Sequence, residues 1–321
     1  MSDAAIQPHL SVIIPVYNEE ENLAALGAEL AAVLDGLGRP AEVILVDDGS
    51  TDGSYAAVQE LVRAHPGFKG LRLGRNVGQT AALAAGIAHA CGEIIAMLDA
   101  DGQNDPRDIP LLLAKCDEGC DVVSGWRRQR RDPGLTRVLP SRIANGLISW
   151  ITGVRLHDYG CTLKLYRSRY LKSLRLFGEM HRFIPAFAGF LGARIVEVPV
   201  NHRPRTRGAS KYGLSRTFKV VLDLITVKFM DAYMAKPIYL FGGSGLAMGA
   251  TGAVMAAYTL YNKFHRHIFV KDQPLFQVSI FFALAGLQLL LLGLVAEILI
   301  RVYFDIKDKP PYFIRETAGF N

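Results

Sequence analysis

Cysteine is scarce in this chain and poorly spaced for its usual structural uses. Four are present among 321 residues, Cys91, Cys116, Cys120 and Cys161. None forms a CxxC pair, and the Cys116/Cys120 spacing lacks a second ligand pair at zinc-site separation. The four read as reduced packing residues. Histidine supplies no metal pattern either, since His181, His202, His265 and His267 lack ligand spacing. No apolar run precedes the first strand: Met1 to His9 is short and polar, so no signal peptide is expected and the first domain is expected to stay in the cytoplasm. Internal repeats and low-complexity tracts are absent.

Charge is missing from two late stretches. Pro237 to Tyr261 carries no charged side chain, and Leu275 to Ile300 carries only Glu297. At a rise of about 1.5 Å per residue, each stretch as a helix reaches the roughly 30 Å of bilayer hydrocarbon, and both read as transmembrane helices. A pair of buried core helices is the alternative, although core helices rarely run beyond about 20 residues without a charge. The short connection Asn262 to Pro274 makes a hairpin, with Lys236 and Arg301 flanking the inner ends and Lys263, Arg266 and Lys271 in the loop assigned outside. A re-entrant hairpin that never fully crosses is the other arrangement. Gly245 and Gly249 form a GxxxG pattern usable for helix packing or a homo-oligomer.

What is present is half hydrophobic, at 50%, with a net charge of +6. The basic residues gather beside the apolar segments and in loops, not in aromatic-interleaved RNA motifs, so a membrane surface or a phosphate substrate fits and nucleic acid does not. From Leu10 to Gly125, short β-rich runs alternate with helical patterns, as in parallel strands joined by crossover helices. Strands are expected at Leu10 to Val16, Glu42 to Val46, Gly70 to Leu73, Glu93 to Leu98 and Asp121 to Ser124. Helices are expected at Glu20 to Leu37, Ser54 to Ala64, Gln79 to Ala90 and Pro106 to Glu118. A second part, Leu135 to Asn201, holds an amphipathic helix near Pro140 to Thr152, a strand around Thr162 to Tyr166 and a helix through Phe183 to Leu191. After the polar loop His202 to Tyr212, Leu214, Phe218, Val221, Ile225 and Phe229 recur at helical spacing with Arg216, Lys219 and Lys228 interspersed. An ordinary core-packing helix shows the same pattern; proximity to the first span favours the lipid interface.

In such a sheet, ligands bind beyond the carboxyl ends of the strands, where three polar motifs lie. Ser11-Val-Ile-Ile-Pro-Val-Tyr-Asn-Glu-Glu-Glu-Asn-Leu23 brings Pro15, Tyr17 and Glu19 to the rim, where an aromatic ring can stack on a base and a carboxylate can hold ribose hydroxyls. Strand end plus helix cap explains the same residues. Val46-Asp-Asp-Gly-Ser-Thr-Asp-Gly-Ser54 pairs two carboxylates with a glycine turn; Ser50 to Asp52 read as caps, while Asp48 exceeds what a cap needs and is favoured for base or ribose recognition. Met97-Leu-Asp-Ala-Asp-Gly-Gln-Asn-Asp-Pro106 sets Asp99 toward the nucleotide and Asp101 with Gln103 toward a Mg2+ or Mn2+ ion that neutralises a departing diphosphate. A lone DxD is weak; at a parallel strand end beside Asp47 and Asp48 it is strong.

These motifs, with Arg75-Asn-Val-Gly-Gln79 between them, resemble the GT-A domain of family 2 glycosyltransferases. The resemblance continues through Gly125-Trp-Arg127, Asp158-Tyr-Gly-Cys161, Gly178-Glu-Met-His-Arg-Phe183 and Arg207-Gly-Ala-Ser-Lys-Tyr212, and so covers essentially the whole chain. The fuller set is similar to the polyprenyl-phosphate branch, which includes dolichyl-phosphate mannose synthases and bacterial undecaprenyl-phosphate sugar transferases, among them the formamidoarabinose transferases. Where the family usually has Leu inside Asp-Ala-Asp-Leu-Gln, this chain has Gly102. The resemblance implies an α/β fold: a Rossmann-like GT-A domain with a mostly parallel sheet, followed by interfacial amphipathic helices and two C-terminal membrane helices. It implies Asp101 and Gln103 as metal ligands and Asp99 on the nucleotide-sugar. Arg127 and Arg142 are implied on the acceptor phosphate, with Arg205 and Lys211 closing over the diphosphate.

Chemistry alone supports the basic set. A phosphate monoester, with a second pKa near about 6, is largely an anion able to attack an anomeric carbon at neutral pH. No strong general base is needed. What is needed is cations to hold two phosphate groups and in-line positioning for an inverting displacement. Arg127, Arg142, Arg203, Arg205 and Lys211 supply that charge, and a solvated basic face beside anionic lipid would account for any one of them alone. Asp158 and Glu179 are the remaining carboxylates in motifs, Asp158 the better candidate for catalysis beside Asp101 and Arg127. The expected activity moves one sugar from a UDP- or GDP-sugar to a polyprenyl phosphate at the cytoplasmic face of a bacterial inner membrane.

The expected layout is a catalytic domain over 1–212, an interfacial helix over 213–236, a hairpin over 237–300 with spans 237–261 and 275–300, and a cytoplasmic tail over 301–321. A synthase extending a glycan would show Gln-x-x-Arg-Trp and more spans. A non-catalytic nucleotide-sugar sensor predicts a broken metal motif, yet Asp99, Asp101 and Gln103 are intact. Transport is disfavoured because Glu297 alone offers intramembrane polarity.

Overall fold

Two strands set the architecture because both of their faces are apolar. Leu10–Val16 (β1) and Ala41–Asp47 (β2) read as near-continuous Val, Ile and Leu, which suits a sheet covered on both sides by helices. In the computed structural model, which describes residues 7–128, 145–204 apart from 147, 151, 177 and 179, 236–305 and 312–320, they form the middle of an eight-stranded sheet ordered β7-β5-β6-β4-β1-β2-β3-β8. The other strands are Phe68–Leu73 (β3), Ile94–Met97 (β4), Val122–Trp126 (β5), Lys164–Arg167 (β6), Ile195–Pro199 (β7) and Ile314–Ala318 (β8). β1 pairs in parallel with β2 and β4, β2 with β3, and β5 with β7. β6 and β8 run against their neighbours.

Alternate residues of β1 feed two cores. Val12, Ile14 and Val16 pack with Leu23 and Leu30 of helix Glu20–Asp35 (α1), Val58 of Ser54–Ala64 (α2) and Leu112 of Ile109–Asp117 (α4). Ile13 faces the other way, onto Ala82 and Ile87 of Gln79–His89 (α3) and Ile184 of Ile184–Phe190 (α6). A short helix, Ser168–Ser173 (α5), follows β6 and buries Leu171. The expected helix over Pro106 to Glu118 is a 3-10 turn, Pro106–Asp108, leading into α4. Residues 145–146 and 148–150 are helical, in the segment expected to hold an amphipathic helix. The expected interfacial helix over 213–236 lies outside the described residues apart from Lys236.

The chain divides into two compact units: one with the described residues before 228 and after 309, the other with those between. The second is a helical hairpin, Ile238–His265 (α7) and Pro274–Asp305 (α8), both longer than the spans expected at 237–261 and 275–300. Glycine lets the two backbones approach: a Cβ on Gly245 would lie 2.6 Å from the carbonyl oxygen of Gly286, so a larger side chain would push them apart. Among their apolar stretches, with mean hydropathy 1.3 and 2.4, only 17% of each is buried. Leu246, Val254, Phe281 and Leu299 stand exposed. Such burial does not fit core helices. The last residues, expected only as a tail, return to the first unit: β8 pairs antiparallel with β3, and the Gly74 amide donates to the Phe313 carbonyl at 2.9 Å.

Candidate active site

The sheet order reverses direction between β1 and β4, and there the strands part. β4 stays paired with β1 only as far as Ile13↔Met97, whereas β1 continues beside β2 to Val16↔Asp47. Pro15, which has no amide hydrogen to donate, falls in the stretch where β1 has lost β4. A crevice at such a reversal is where ligands of open α/β sheets bind.

The first two loops of this edge are sewn together. Asn18 has φ +53°, and its side-chain oxygen accepts from the Thr51 amide at 2.9 Å. The amides of Asn18 and Glu19 donate to the hydroxyls of Ser50 and Ser54 at 3.0 and 2.9 Å. Ser50 and Thr51, expected as caps, therefore chiefly hold the β1 loop; Asp52 does act locally, accepting from the Ser54 amide at 3.0 Å. Gly49, at φ +67°, lets the loop after β3 pass: a Cβ there would sit 2.6 Å from the Asn76 amide nitrogen. Tyr17 is exposed at the rim, and Glu19 accepts from the Asn22 side chain at 2.6 Å.

Asp48 does something the motif did not reveal. Its carboxylate oxygens accept the amides of Val77 and Gly78 at 2.8 and 2.9 Å, so it also fixes the turn into α3. Burial raises the Asp48 carboxyl despite those bonds. Asp47, fully buried, accepts from the Ser50 amide at 3.2 Å and lies 3.6 Å from Arg72 Nε, and burial raises it as well. Arg72 also reaches Glu316 of β8 at 3.2 Å.

Past β4, Asp99 accepts from Gln79 Nε2 at 2.7 Å. Burial first, then the Asp101 carboxylate, push the Asp99 carboxyl up to about 7, against the opposing effects of Thr162, Arg127 and Lys164. Asp101 Oδ1 accepts the Gln103 amide at 3.1 Å, which closes the turn around Gly102 at φ +70°, a conformation that would strain leucine. No group of three or more His, Cys, Asp or Glu suited to a metal occurs among the described residues. The Asp101 carboxylate and the Gln103 amide are hard oxygen donors that fit Mg2+ or Mn2+ in the manner of sites completed by water and substrate phosphates.

Facing this loop is a braced arginine. Arg127 Nε and Nη2 donate to the two oxygens of Asp158 at 2.7 and 3.0 Å, a bidentate pair in which the Asp158 side chain is 1% exposed. Asp158 also accepts the amides of Arg127 and Gly160 at 3.3 and 3.1 Å. Asp158, expected as a catalytic carboxylate, braces Arg127 and accepts buried amides in the structure. Asn104 Nδ2 donates to the Thr162 hydroxyl at 2.7 Å, tying the metal-motif loop to the Asp158 segment. Two groups escaped the sequence reading. Lys164 is buried at the start of β6, and Thr80 shares a 2.8 Å hydrogen bond with His181.

Arg203, expected on the acceptor phosphate, is engaged by carboxylates: Nη1 donates to Glu29 at 2.8 Å and Nη2 lies 2.7 Å from Asp105. Its amide donates to the Gln103 carbonyl at 2.8 Å, so in the structure it secures the strand-to-loop junction beside the metal motif. Arg142, Glu179, Arg205 and Lys211 lie outside the described residues.

The description "Glycosyl transferase family 2" belongs to a family model matching residues 11–191. A dodecaprenyl-phosphate galacturonate synthase of Rhizobium johnstonii is 42% identical over 311 residues, 96% of this chain and 92% of that protein. An undecaprenyl-phosphate 4-deoxy-4-formamido-L-arabinose transferase of Edwardsiella ictaluri is 36% identical over 100% of this chain and 98% of its own. Among solved structures, glucosyl-3-phosphoglycerate synthase from Mycobacterium tuberculosis, in complex with Mn2+ and uridine-diphosphate-glucose, superposes with TM-score 0.53 at 19% identity, covering 70% of this chain and 79% of that one. Mannosyl-3-phosphoglycerate synthase from Rubrobacter xylanophilus gives TM-score 0.53 at 18% identity, covering 69% and 74%. At such identities the likeness is one of fold, and the α/β unit has the GT-A fold that the motifs implied.

Proposed function

The chain belongs to glycosyl transferase family 2, and on that premise we propose that it transfers one sugar from a nucleoside-diphosphate sugar to a polyprenyl phosphate at the cytoplasmic face of a membrane. One observation carries the reading. The two relatives matched nearly end to end are named for different sugars, galacturonate and formamido-arabinose, but both are named for a polyprenyl phosphate. The acceptor class therefore transfers to this chain, and the sugar does not.

The geometry supports a division of labour along the crevice. Tyr17 stacks on the base, with Pro15 and Glu19 beside it, and Asp48 contributes by fixing the turn into α3. Asp99 orients the sugar diphosphate, and Asp101 and Gln103 hold a divalent cation, Mg2+ or Mn2+, which when bound neutralises the departing diphosphate. Arg127, aligned by Asp158, receives the acceptor phosphate together with Arg142; Arg205 and Lys211 close over the donor. The acceptor is already an anion near neutral pH, so positioning and charge compensation carry the reaction, and an in-line attack inverts the anomeric centre.

The proposed layout keeps 1–212 catalytic and cytoplasmic, 213–236 interfacial and 237–300 as a spanning hairpin. Pairing of β8 with β3 supports it, because the chain must come back to the side it left. The test is turnover by purified protein in detergent with undecaprenyl phosphate, Mg2+ or Mn2+, and a panel of UDP- and GDP-sugars. A lipid-dependent product heavier than undecaprenyl phosphate by one sugar is expected. Nucleotide binding with no lipid product from any donor would overturn the acceptor and favour a different one.

A further inference from the structure

β3 runs straight into the loop Gly74 to Gln79, and three holds fix that loop. Asp48 takes the Val77 and Gly78 amides at 2.8 and 2.9 Å, and the Gln79 side chain reaches Asp99 at 2.7 Å. The Phe313 carbonyl, just before β8, takes the Gly74 amide at 2.9 Å. Two of the holds are carboxylates of the crevice. The third comes from the chain beyond the helical hairpin.

β8 also aims a charge. Arg72 of β3 pairs with Glu316 but Leu73 pairs with Ile314, so the register passes over Arg315. An extra residue of this kind re-aims the side chains on either side of it. Ile314 goes with Leu73 into the core that Ile13 faces, joined there by Tyr312 and Phe320, while Glu316 goes with Arg72. The Arg72 guanidinium lies between two carboxylates: Nη1 donates to Glu316 Oε1 at 3.2 Å and Nε is 3.6 Å from Asp47 Oδ2, with the guanidinium carbon 4.8 Å from the centre of the Tyr55 ring. Glu316 also lies 3.6 Å from Arg315 Nε. Asp47 Oδ2 is buried and has no hydrogen-bond partner among the described residues, so the position of Arg72 sets how far its charge is compensated. Asp47 in turn accepts the Ser50 amide, and the Ser50 hydroxyl accepts the Asn18 amide of the β1 loop.

We propose that β8 belongs to the donor side of the site: Glu316, acting through Arg72, and the Phe313 carbonyl, acting on Gly74, are positioning groups that order Asp47 and residues 74–79 for the nucleoside diphosphate. The proposal rests on the reading of the crevice beyond β1, β2 and β4 as the donor site. It adds that donor affinity depends on residues at the far end of the chain. A loop held at two points in place of three loses more conformational freedom when a ligand orders it, and that cost falls on the donor. The acceptor is spared, because Arg127 follows β5, near the other edge of the sheet.

The test compares Ile314→Asp, Glu316→Ala and Glu316→Gln with wild type, and with Thr317→Val as a control at an exposed position of the same strand. UDP and GDP affinity in the presence of Mn2+ is read by calorimetry, amide exchange of residues 74–79 by mass spectrometry, and kcat with both KM values by product formation. Ile314→Asp, which puts a carboxylate against the core and undocks the strand, weakens nucleotide binding at least about tenfold. Glu316→Ala weakens it about threefold, the scale of one partly exposed ion pair. Both raise the donor KM in proportion, leave the acceptor KM within about twofold of wild type and speed exchange of the 74–79 amides. Glu316→Gln, whose amide oxygen still accepts from Arg72, and Thr317→Val stay close to wild type. If Ile314→Asp fails to fold, Glu316→Ala decides. Wild-type nucleotide affinity and exchange in Glu316→Ala, or equal rises in donor and acceptor KM, overturn the proposal. Exchange is read without nucleotide, so a wild type that binds neither UDP nor GDP would defeat the donor reading while exchange of 74–79 still decides the hold of β8 on the loop.

Discussion

The two ends of the central sheet treat buried negative charge in opposite ways. Where the strands begin, the Glu42 carboxylate is 4% exposed and takes the Ser11 hydroxyl at 2.6 Å, the Cys91 amide at 2.7 Å and the Lys69 ammonium at 2.8 Å. Burial opposes ionisation there, yet the bonds from Lys69, Ser11 and Cys91 outweigh it and hold the carboxyl below its usual range. Where β1, β2 and β4 end, burial wins: Asp47, Asp48 and Asp99 are all raised, Asp99 to about 7. A closed, satisfied cluster is fold. An edge left short of positive charge is where the proposed cation and polyanionic substrate would complete the structure.

Breaking the functional end should cost most. Asp101→Ala is expected to lower turnover roughly a thousandfold, since the carboxylate assigned to the cation is lost and the leaving diphosphate goes uncompensated, with little change in melting temperature. Asp158→Asn should lose at least tenfold in turnover and about 3 kcal/mol in stability, because the half-buried Arg127 keeps its charge and loses its partner; kinetics and a melt on one preparation check both. Gly49→Ala sharpens the comparison at the junction of two loops. A φ of +67° and the collision with Arg75 and Asn76 should cost about 2 kcal/mol and raise the donor KM more than the acceptor KM.

Breaking the structural end should leave chemistry alone. Glu42→Gln is expected to lose about 1 kcal/mol of stability at pH 7 with unchanged kcat and KM values. Its sign with pH is fixed: Glu42 stays ionised to lower pH in the folded chain than in the unfolded one. Its contribution is therefore full above about pH 4.3 and is lost as pH falls through the depressed folded value. Melts of wild type and Glu42→Gln should converge below that pH.

The strands and helices up to Gly125 were legible because their signals are local: apolar runs of strand length, helical periodicity, and polar residues gathered at strand ends. β7 was missed although Ile195-Val-Glu-Val-Pro199 alternates as a strand should, a signal that was available. β8, with Arg315, Glu316 and Thr317, carries no such signal; its pairing with β3 comes from across the whole chain. The site divides in the same way. Asp99, Asp101, Gln103 and Arg127 could be named from motifs, but the partners that define Asp48 and Arg203 are distant in sequence. Lys164 lies inside the expected strand Thr162 to Tyr166 with no local signal of burial, and only the flanking strands bury it.

The most direct test is calorimetric titration of Mn2+ into purified protein with a saturating nucleoside diphosphate, comparing wild type, Asp101→Ala and Glu42→Gln. Wild type and Glu42→Gln should bind one ion with equal affinity while Asp101→Ala shows none. Wild-type binding by Asp101→Ala, or equal loss in both variants, would mean that the charge-deficient edge of the sheet is not where the cation and diphosphate are held.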